Sequence, residues 1–423
     1  MDISKICVLG LGYIGLPTAS LLANNGFKVV GVDKKEKIIE VINNGGIHIE
    51  EPGLKALVSA AVNSGFLEAK TEVVEADVFF IAVPTPIKEK SGEVVVDLSY
   101  VEHAAEEIAP CLKQGNLVIL ESTSPPGTSR DVVAPILEKS GLEAGKDFYL
   151  AHCPERVLPG NTLRELIQNN RIIGGINPAS AEKARELYAR FVEGEISVTD
   201  STTAEMAKLI ENIYRDVNIA LSNEIALISD KLGIDAWEAI QLANLHPRVN
   251  LHAPGPGVGG HCISVDPWFV ISAFKSEAQL MALGRRINEQ QPEKVISRLK
   301  KLLAGLDGPV VTVLGVSYKG NIDDTRESPA LKVLDRLIEE GIAFKIYDPH
   351  VKDFSHELCG LKEAFSGSDC ALVLADHDEF RFLYPGELVK LMRTRQILDT
   401  RNCLDRKLWE DNDFKYYLLG SGK

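Results

Sequence analysis

Residues 5–9 (Lys-Ile-Cys-Val-Leu) form a short apolar run that stops at Gly10-Leu11-Gly12-Tyr13-Ile14-Gly15. A helical pattern over 13–25 follows directly, ends at Gly26, and gives way to a second apolar run over 27–32 that Asp33 closes. Strand, glycine turn, helix and strand in that order predict the first βαβ unit of a parallel, helix-covered sheet. The glycines let the backbone turn tightly and approach a pyrophosphate, whose charge sits at the helix N-terminus, while the acid accepts hydrogen bonds from a ribose diol. A GxGxxG alone occurs by chance in glycine-rich turns; the flanking strand, helix and acid make a dinucleotide site the better reading. Asp33 favours NAD over NADP, because it would repel a 2′-phosphate.

Apolar runs at 78–83, 117–121 and 148–151 alternate with helical stretches and continue the same rhythm. From 202 to 232 the pattern is helical with no Gly or Pro, and a shorter helix is expected over 235–244. A helix of about 30 residues spans about 45 Å. After Gly305, Gly308 and Pro309 the strand-turn-helix rhythm restarts with 310–314, a helix over 328–340 and a strand over 343–347 that runs into Asp348. The expected fold class is α/β, with two Rossmann-like doubly wound domains joined by a helical middle domain that contains one long helix. The domains are read as 1–199, 200–303 and 304–423, a division that a length of 423 residues accommodates. In the restart, Gly315-Val316-Ser317-Tyr318-Lys319-Gly320 lacks the glycine spacing of the first turn, so no second dinucleotide is expected. Ser317, Tyr318, Lys319 and Arg326 either meet a different ligand at the mouth of the sheet or form a solvated turn.

A net charge of −14 argues against nucleic-acid binding by the surface as a whole, while leaving room for a local phosphate pocket. No apolar run reaches the roughly 18–20 residues that a membrane-spanning helix needs, so no membrane association is expected. The first residues lead straight into an apolar run without a charged leader and cleavage site. Together with seven scattered cysteines and no CxxC pair, this points to a reduced, cytoplasmic protein. The nine histidines form no HExxH or paired-ligand spacing, and no metal is expected.

The segment 254–266, Pro-Gly-Pro-Gly-Val-Gly-Gly-His-Cys-Ile-Ser-Val-Asp, places Cys262 at the end of a donor-rich loop beside His261, with Asp266 one helical turn further on. A free cysteine is more often a small buried hydrophobe. The dense glycines and neighbouring ionisable groups favour an accessible, activated thiol instead. On the long helix, Glu205, Lys208, Asn212 and Arg215 fall on one stripe. Such a stripe is ordinarily a solvated face. Here Met206, Leu209, Ile210, Ile213, Val217 and Ile219 leave it narrow, which suits a cleft with Lys208 and Asn212 as oxyanion stabilisers. The loops 122–128 (STSPPGT) and 153–160 (CPERVLPG) follow strands, where ligands of open α/β sheets bind; the bland alternative for each is a stiffened turn.

Taken in order, the turn at 10–15, STSPPGT, PERVLPG at 154–160, AEMAKLIEN at 204–212 and GGHC with Asp266 resemble the UDP-glucose/GDP-mannose dehydrogenase family over essentially the full length. The resemblance implies that Cys262 is the nucleophile and that Lys208 and Asn212 stabilise charge on the substrate oxygen. It also implies that Asp266 supports the thiol and water chemistry, and that Thr123 and Glu155 help activate water. It assigns NAD to Gly10, Gly12, Tyr13, Ile14, Gly15, Asp33, Thr85, Thr123 and Arg326, and it makes 304–423 a UDP-sugar-binding domain.

The UDP-glucose branch of that family typically has a second acid shortly after the PE pair and a serine before the nucleophile, where this chain has Pro159 and His261. PERVLPG, HPRVN (246–250) and PGPGVGGHCISVDPWF (254–269) are similar instead to the branch that oxidises UDP-N-acetyl-D-mannosamine. By that likeness Arg156, Val157, Lys208, Asn212, Arg215, His246, Arg248, Asn250, Gly259, Tyr318, Lys319 and Arg401 line the substrate pocket. The implied reaction is a two-step, four-electron oxidation at C6 to the uronate, in a homodimer or dimer of dimers built through the long helix. The alternatives are the same reaction on UDP-N-acetyl-D-glucosamine or UDP-glucose, a single-step hydroxyl dehydrogenase, and a non-catalytic NAD sensor, against which the joint presence of Cys262, Lys208 and Asn212 argues.

Overall fold

A computed structural model describes residues 3–158 and 160–422, so Pro159 of the PERVLPG segment lies outside the described residues. The chain forms two compact units. One runs to Glu211 and includes Trp268–Ala273; the other comprises Asn212–Pro267 and everything from Phe274 onward. The long helix Ser201–Leu232 contributes to both.

The first unit contains β1 (Lys5–Leu9), β2 (Lys28–Val32), β3 (Leu67–Lys70), β4 (Val78–Ile81), a hairpin of β5 (Ile87–Lys90) and β6 (Glu93–Val96), β7 (Leu117–Leu120), β8 (Tyr149–His152), β9 (Arg171–Gly175) and β10 (Ile196–Asp200). Eight of these form one sheet in the order β10-β9-β8-β7-β4-β1-β2-β3. Strand faces alternate between two cores. Ile6 and Val8 pack with Leu16, Ala19 and Leu22 of the helix Gly15–Asn24, while Cys7 and Leu9 pack with Val101, Ala104 and Ile108 of the helix Ser99–Ile108. Burial on both faces explains why these strands read as continuous apolar runs.

The sheet is parallel as expected except at one pairing, where β8 and β9 run antiparallel. The segment after β8 carries only the short helix Thr162–Gln168, and the chain re-enters the sheet from the end at which it left. A return without a crossover has to be antiparallel. The helix Pro178–Tyr188 then carries β9 to β10 as a parallel pair.

In the second unit, β11 (Val310–Leu314), β12 (Ala343–Tyr347), β13 (Cys370–Val373), β14 (Gln396–Asp399) and β15 (Lys415–Leu418) form a parallel sheet in the order β12-β11-β13-β14-β15. This is a doubly wound order whose switch point lies between β11 and β13. Ahead of it in sequence lie the helices Ala236–Ala243, Gln279–Glu289 and Gln291–Leu302. Asp235 caps the first of them, accepting the Trp237 N–H at 2.8 Å. A buried ion pair joins the helix Gln279–Glu289 to the long one: Arg285 Nη1 donates to Asp216 Oδ1 at 2.6 Å, and the Asn288 amide donates to the same oxygen at 2.9 Å.

Removing one member of that pair leaves the other as an uncompensated buried charge. Asp216→Ala is expected to destabilise the second unit by about 3–5 kcal/mol. Chemical denaturation checks this; a midpoint equal to wild type would show that Arg285 finds another acceptor.

Candidate active site

β1, β2, β4 and β7 run parallel and end along one edge of the first sheet, where the expected cofactor residues follow them. Gly10 has φ +89°, and a Cβ there would stand 2.5 Å from the Ala82 carbonyl oxygen. A Cβ on Gly15 would stand 1.8 Å from the Gly10 carbonyl oxygen, so only glycine lets a helix begin this close to the turn. Gly12 is different, since no described residue other than its chain neighbours lies within 4 Å of its Cβ position. The protein's own packing does not require a glycine there, which leaves room for a pyrophosphate to approach the backbone. Asp33 accepts the Leu11 N–H at 3.2 Å and the Lys35 N–H at 3.0 Å, which holds its carboxylate beside the turn. Thr85 donates its hydroxyl to the Thr123 carbonyl at 2.7 Å, so both expected threonines meet at this edge. Tyr13 is exposed and Ile14 half-buried beside the open glycine. Glycine cradle, helix N-terminus and acid together fit a bound NAD.

The second unit repeats this geometry and then seals it. The Val316 N–H donates to Asp348 Oδ2 at 2.7 Å, as Leu11 does to Asp33. His377 Nε2 also lies 3.1 Å from that oxygen, while Oδ1 accepts the His350 and Val351 N–H groups at 2.9 Å. Burial acts against charge on Asp348, but the His377 hydrogen bond and the Val316 and Val351 N–H groups outweigh it and hold the carboxyl down at about 2. No acceptor capacity is left for a ribose diol. His350, His377 and Glu379 cluster closely enough to suggest a cation site. His377 does not qualify: its Nδ1 accepts the Asn321 N–H at 2.9 Å, so Nε2 carries the proton and neither nitrogen offers a lone pair.

The cysteine loop belongs to the same unit and is stitched to the long helix by side-chain-to-backbone bonds. Asn218 donates to the Asn250 carbonyl at 2.8 Å and accepts the His252 N–H at 2.7 Å; Ser222 donates to the His252 carbonyl at 2.6 Å; Asn223 accepts the Gly255 N–H at 2.9 Å. Beyond these anchors Gly259 and Gly260 pass so close to Tyr318 that added Cβ atoms would stand 2.8 and 2.7 Å from its side chain. The Gly260 N–H donates to the Arg326 carbonyl at 3.1 Å. Cys262 then emerges half-buried, its Sγ 3.1 Å from His261 Nδ1. Burial pushes the thiols of Cys7, Cys153 and Cys370 up to about 11, 12 and 12, and raises that of Cys403, which leaves those four as inert core residues. The Asp266 N–H donates to the Cys262 carbonyl at 2.8 Å, and the Asp266 carboxylate accepts from the buried Asn212 amide. Arg215 donates to the other end of that amide, so Asn212 is held by its neighbours in one orientation.

In the first unit Lys208 is buried on the long helix one turn before Asn212. Glu205, which the stripe placed with them, has a different task. Its carboxylate accepts the Gly127 and Ser129 N–H groups at 2.5 and 2.8 Å and ties the STSPPGT loop to the helix. Glu155 is 8% exposed and turned inward, accepting the Arg156 N–H at 2.6 Å and Arg171 Nη1 at 2.5 Å. Arg156 pairs with Glu211 at 2.8 Å and reaches the Asn170 carbonyl, and Val157 packs on the core. Of the other expected substrate residues, Tyr318 packs on the cysteine loop and Arg401 donates to Asp376 at 2.8 Å next to Gly255. Lys319, His246, Arg248 and Asn250 are exposed. Arg326, expected to meet NAD, forms a bidentate pair with Asp324 at 2.9 and 2.6 Å.

Sequence reasoning passed over Glu121, an acid that closes an apolar run and lies buried at the end of β7; an acid in that position was itself a signal. It also missed His152, whose buried ring is pushed down to about 3 by burial, with the Lys208 charge adding to the effect. The Gly12→Ala variant is expected to keep the thermal stability of wild type, because its methyl meets open space, while weakening NAD binding about tenfold or more, equivalent to about 1.4 kcal/mol. Parallel melting and NAD titration check this, and equal affinity would remove the pyrophosphate from that space.

Comparison with known proteins agrees with this geometry. Residues 4–192, 202–290 and 312–406 match, respectively, the NAD-binding, central and UDP-binding domains of the UDP-glucose/GDP-mannose dehydrogenase family. A Methanococcus maripaludis protein named UDP-N-acetyl-D-mannosamine dehydrogenase is 50% identical, covering 100% of this chain and 98% of its own. Two solved structures, of the UDP-D-ManNAc dehydrogenase of Pyrococcus horikoshii and the UDP-N-acetyl-mannosamine dehydrogenase of Staphylococcus aureus, are 42% and 45% identical, with TM-scores of 0.92 and 0.90 and 99% coverage of both chains in each case. The cofactor edge, the sealed second turn and the anchored cysteine loop are thus those of a chain that belongs to the UDP-glucose/GDP-mannose dehydrogenase family.

Proposed function

We propose that the protein oxidises UDP-N-acetyl-D-mannosamine at C6 to the uronate in two NAD-dependent steps, through a covalent adduct on Cys262. The observation that carries this reading is the half-buried Cys262 thiol, 3.1 Å from His261 Nδ1 at the end of an anchored glycine loop. The names of the relatives support the choice of sugar. Three functional segments serve the reaction: 1–199 for the cofactor, 200–303 for the cysteine loop, and 304–423 for the UDP-sugar.

Gly10, Gly12, Tyr13, Ile14, Gly15, Asp33, Thr85, Thr123 and Arg326 would hold NAD, which when bound would supply the hydride acceptor for each oxidation. An aldehyde carries no hydride that leaves easily with formation of an acid, and a tetrahedral adduct does. The Cys262 sulfur adds to the aldehyde carbon, giving a thiohemiacetal whose oxidation leaves a thioester. Water then adds to the thioester carbonyl, the thiol leaves, and the carboxylate is released. Lys208 and Asn212 stabilise the oxygen anions that form on the way, with Asn212 oriented by Asp266; losing one such donor costs about 100- to 1000-fold in rate. Thr123 and Glu155 serve the attacking water. Arg156, Val157, Arg215, His246, Arg248, Asn250, Gly259, Tyr318, Lys319 and Arg401 recognise the sugar nucleotide.

A homodimer, or a dimer of dimers, fits the long helix. Tyr214, Leu221 and Ile228 are exposed at seven-residue spacing, with Leu232 beyond them, which makes the apolar seam that a second helix covers. No described helix is long and apolar enough to cross a membrane, and the proposed setting is the cytoplasm.

Cys262→Ser is expected to abolish uronate formation while leaving NAD affinity unchanged; wild-type turnover by that variant sinks the covalent route. Wild type should yield two NADH per UDP-N-acetylmannosamine, whereas a ratio of one supports a single-step hydroxyl dehydrogenase. Side-by-side assays with UDP-N-acetylglucosamine and UDP-glucose test the sugar. Leu221→Asp combined with Ile228→Asp is expected to shift sedimentation toward the monomer, and an unchanged profile moves the interface elsewhere.

A further inference from the structure

Glu121 follows β7, is 2% exposed, and accepts the Tyr188 hydroxyl at 2.8 Å and the Thr18 hydroxyl at 3.4 Å. Thr18 stands on the helix that follows the cofactor turn. The Arg171 guanidinium, also 2% exposed, lies over the Tyr188 ring 5.6 Å from its centroid, and its Nη1 donates to Glu155. Nη2 donates to the Leu166 carbonyl at 2.9 Å, and Nε is buried with no hydrogen-bond partner among the described residues. Two buried carboxylates therefore share the field of one buried cation, and that cation has a donor to spare.

With both acids ionised the group carries a net negative charge inside the protein, which burial disfavours; a proton on one acid removes it. Burial, and after it the charge of Glu155, push the Glu121 carboxyl up to about 7, against the pull of Arg171 and the two hydroxyls. Tyr188 and Cys153, the other titratable groups facing Glu121, are raised by burial and stay neutral in that range.

We propose that Glu121 is a positioning residue for Glu155: the two acids compete for the Arg171 guanidinium, and the proton on Glu121 decides how firmly Arg171 holds Glu155. With Glu121 protonated, Arg171 serves Glu155 alone and keeps that carboxylate turned inward. With Glu121 ionised, the guanidinium is drawn toward it, the idle Nε–H gains an acceptor, and Glu155 is released toward the loop. The kinetic half of the proposal rests on the assignment of Glu155 to thioester hydrolysis; the electrostatic half does not.

Infrared difference titration of the full-length protein without substrate reads the electrostatic half. Wild type should show a carboxyl titrating near neutral pH. Glu121→Gln should remove that signal, and Glu155→Gln should move it down by about one pH unit, because the neighbouring negative charge is gone. Absence of the signal in wild type, or an unmoved midpoint in Glu155→Gln, overturns the coupling, and neither result requires Glu121→Gln to fold.

Decay of the Cys262 acyl adduct, followed by intact mass against pH, reads the kinetic half. Wild-type hydrolysis should rise through the Glu121 titration. Glu121→Gln should hydrolyse slowly and lose that rise, with its first hydride transfer and its KM for NAD within about twofold of wild type. A Glu121→Gln profile that superimposes on wild type overturns the positioning role. Wild-type adduct decay in Glu155→Gln overturns that role together with the assignment beneath it, while the infrared titration separately decides whether the acids are coupled.

Discussion

The carbonyl oxygen of Gly10 stands 1.8 Å from where a side chain on Gly15 would begin, and that missing atom lets a helix N-terminus sit directly over a strand end. The first turn of a helix has N–H groups without internal partners and a partial positive charge, so its placement over the sheet edge creates an anion site before any side chain takes part. The same turn is pinned from below. A Cβ on Gly31 of β2 would meet Leu11 at 2.7 Å, so the turn rests on the strand that leads to Asp33. The helix start and the Asp33 strand end are placed by two close approaches: a methyl group on Gly15 would strike backbone, whereas one on Gly31 would strike the movable end of the Leu11 side chain.

The long helix works by a different principle. Its polar side chains mostly hold other segments of chain rather than facing water. Burial raises the Glu205 carboxyl, opposed by the Ser129 and Gly127 hydrogen bonds that capture the STSPPGT loop. In the other unit Asn218, Ser222 and Asn223 take successive backbone groups of 250–255 and deliver the cysteine loop to its place. A loop of that length with no secondary structure of its own is normally mobile. Its order here comes from donors and acceptors that the helix supplies at regular intervals.

This also explains what could be read from the chain unaided. Elements whose formation is local were legible: the long helix, expected over 202–232, spans Ser201–Leu232, and the strands 310–314 and 343–347 fall where periodicity puts them. The cysteine loop was legible as a feature because glycines beside a His-Cys pair are chemically unusual, although the asparagines and serine that anchor it carry no such mark. What stayed hidden depends on distant partners. The reversal of β9 follows from where a short helix leaves the chain end, and the inward turn of Glu155 follows from an arginine on β9. The polar stripe on the helix is mixed in its contacts: Glu205 holds the STSPPGT loop, whereas Asn212 donates to Asp266 and accepts from Arg215, a difference that spacing alone does not carry.

The sealed turn of the second unit has a thermodynamic corollary. The first unit carries the family's NAD-binding domain, so part of its stability is linked to cofactor concentration and grows as RT ln(1 + [L]/Kd). At Asp348 the imidazole of His377 occupies the corresponding place as a permanently attached ligand, present at a concentration that dilution cannot change. Two sheets built on one turn geometry therefore obey different laws of mass action: one is responsive to the cell's supply of dinucleotide, the other carries its occupant within the chain.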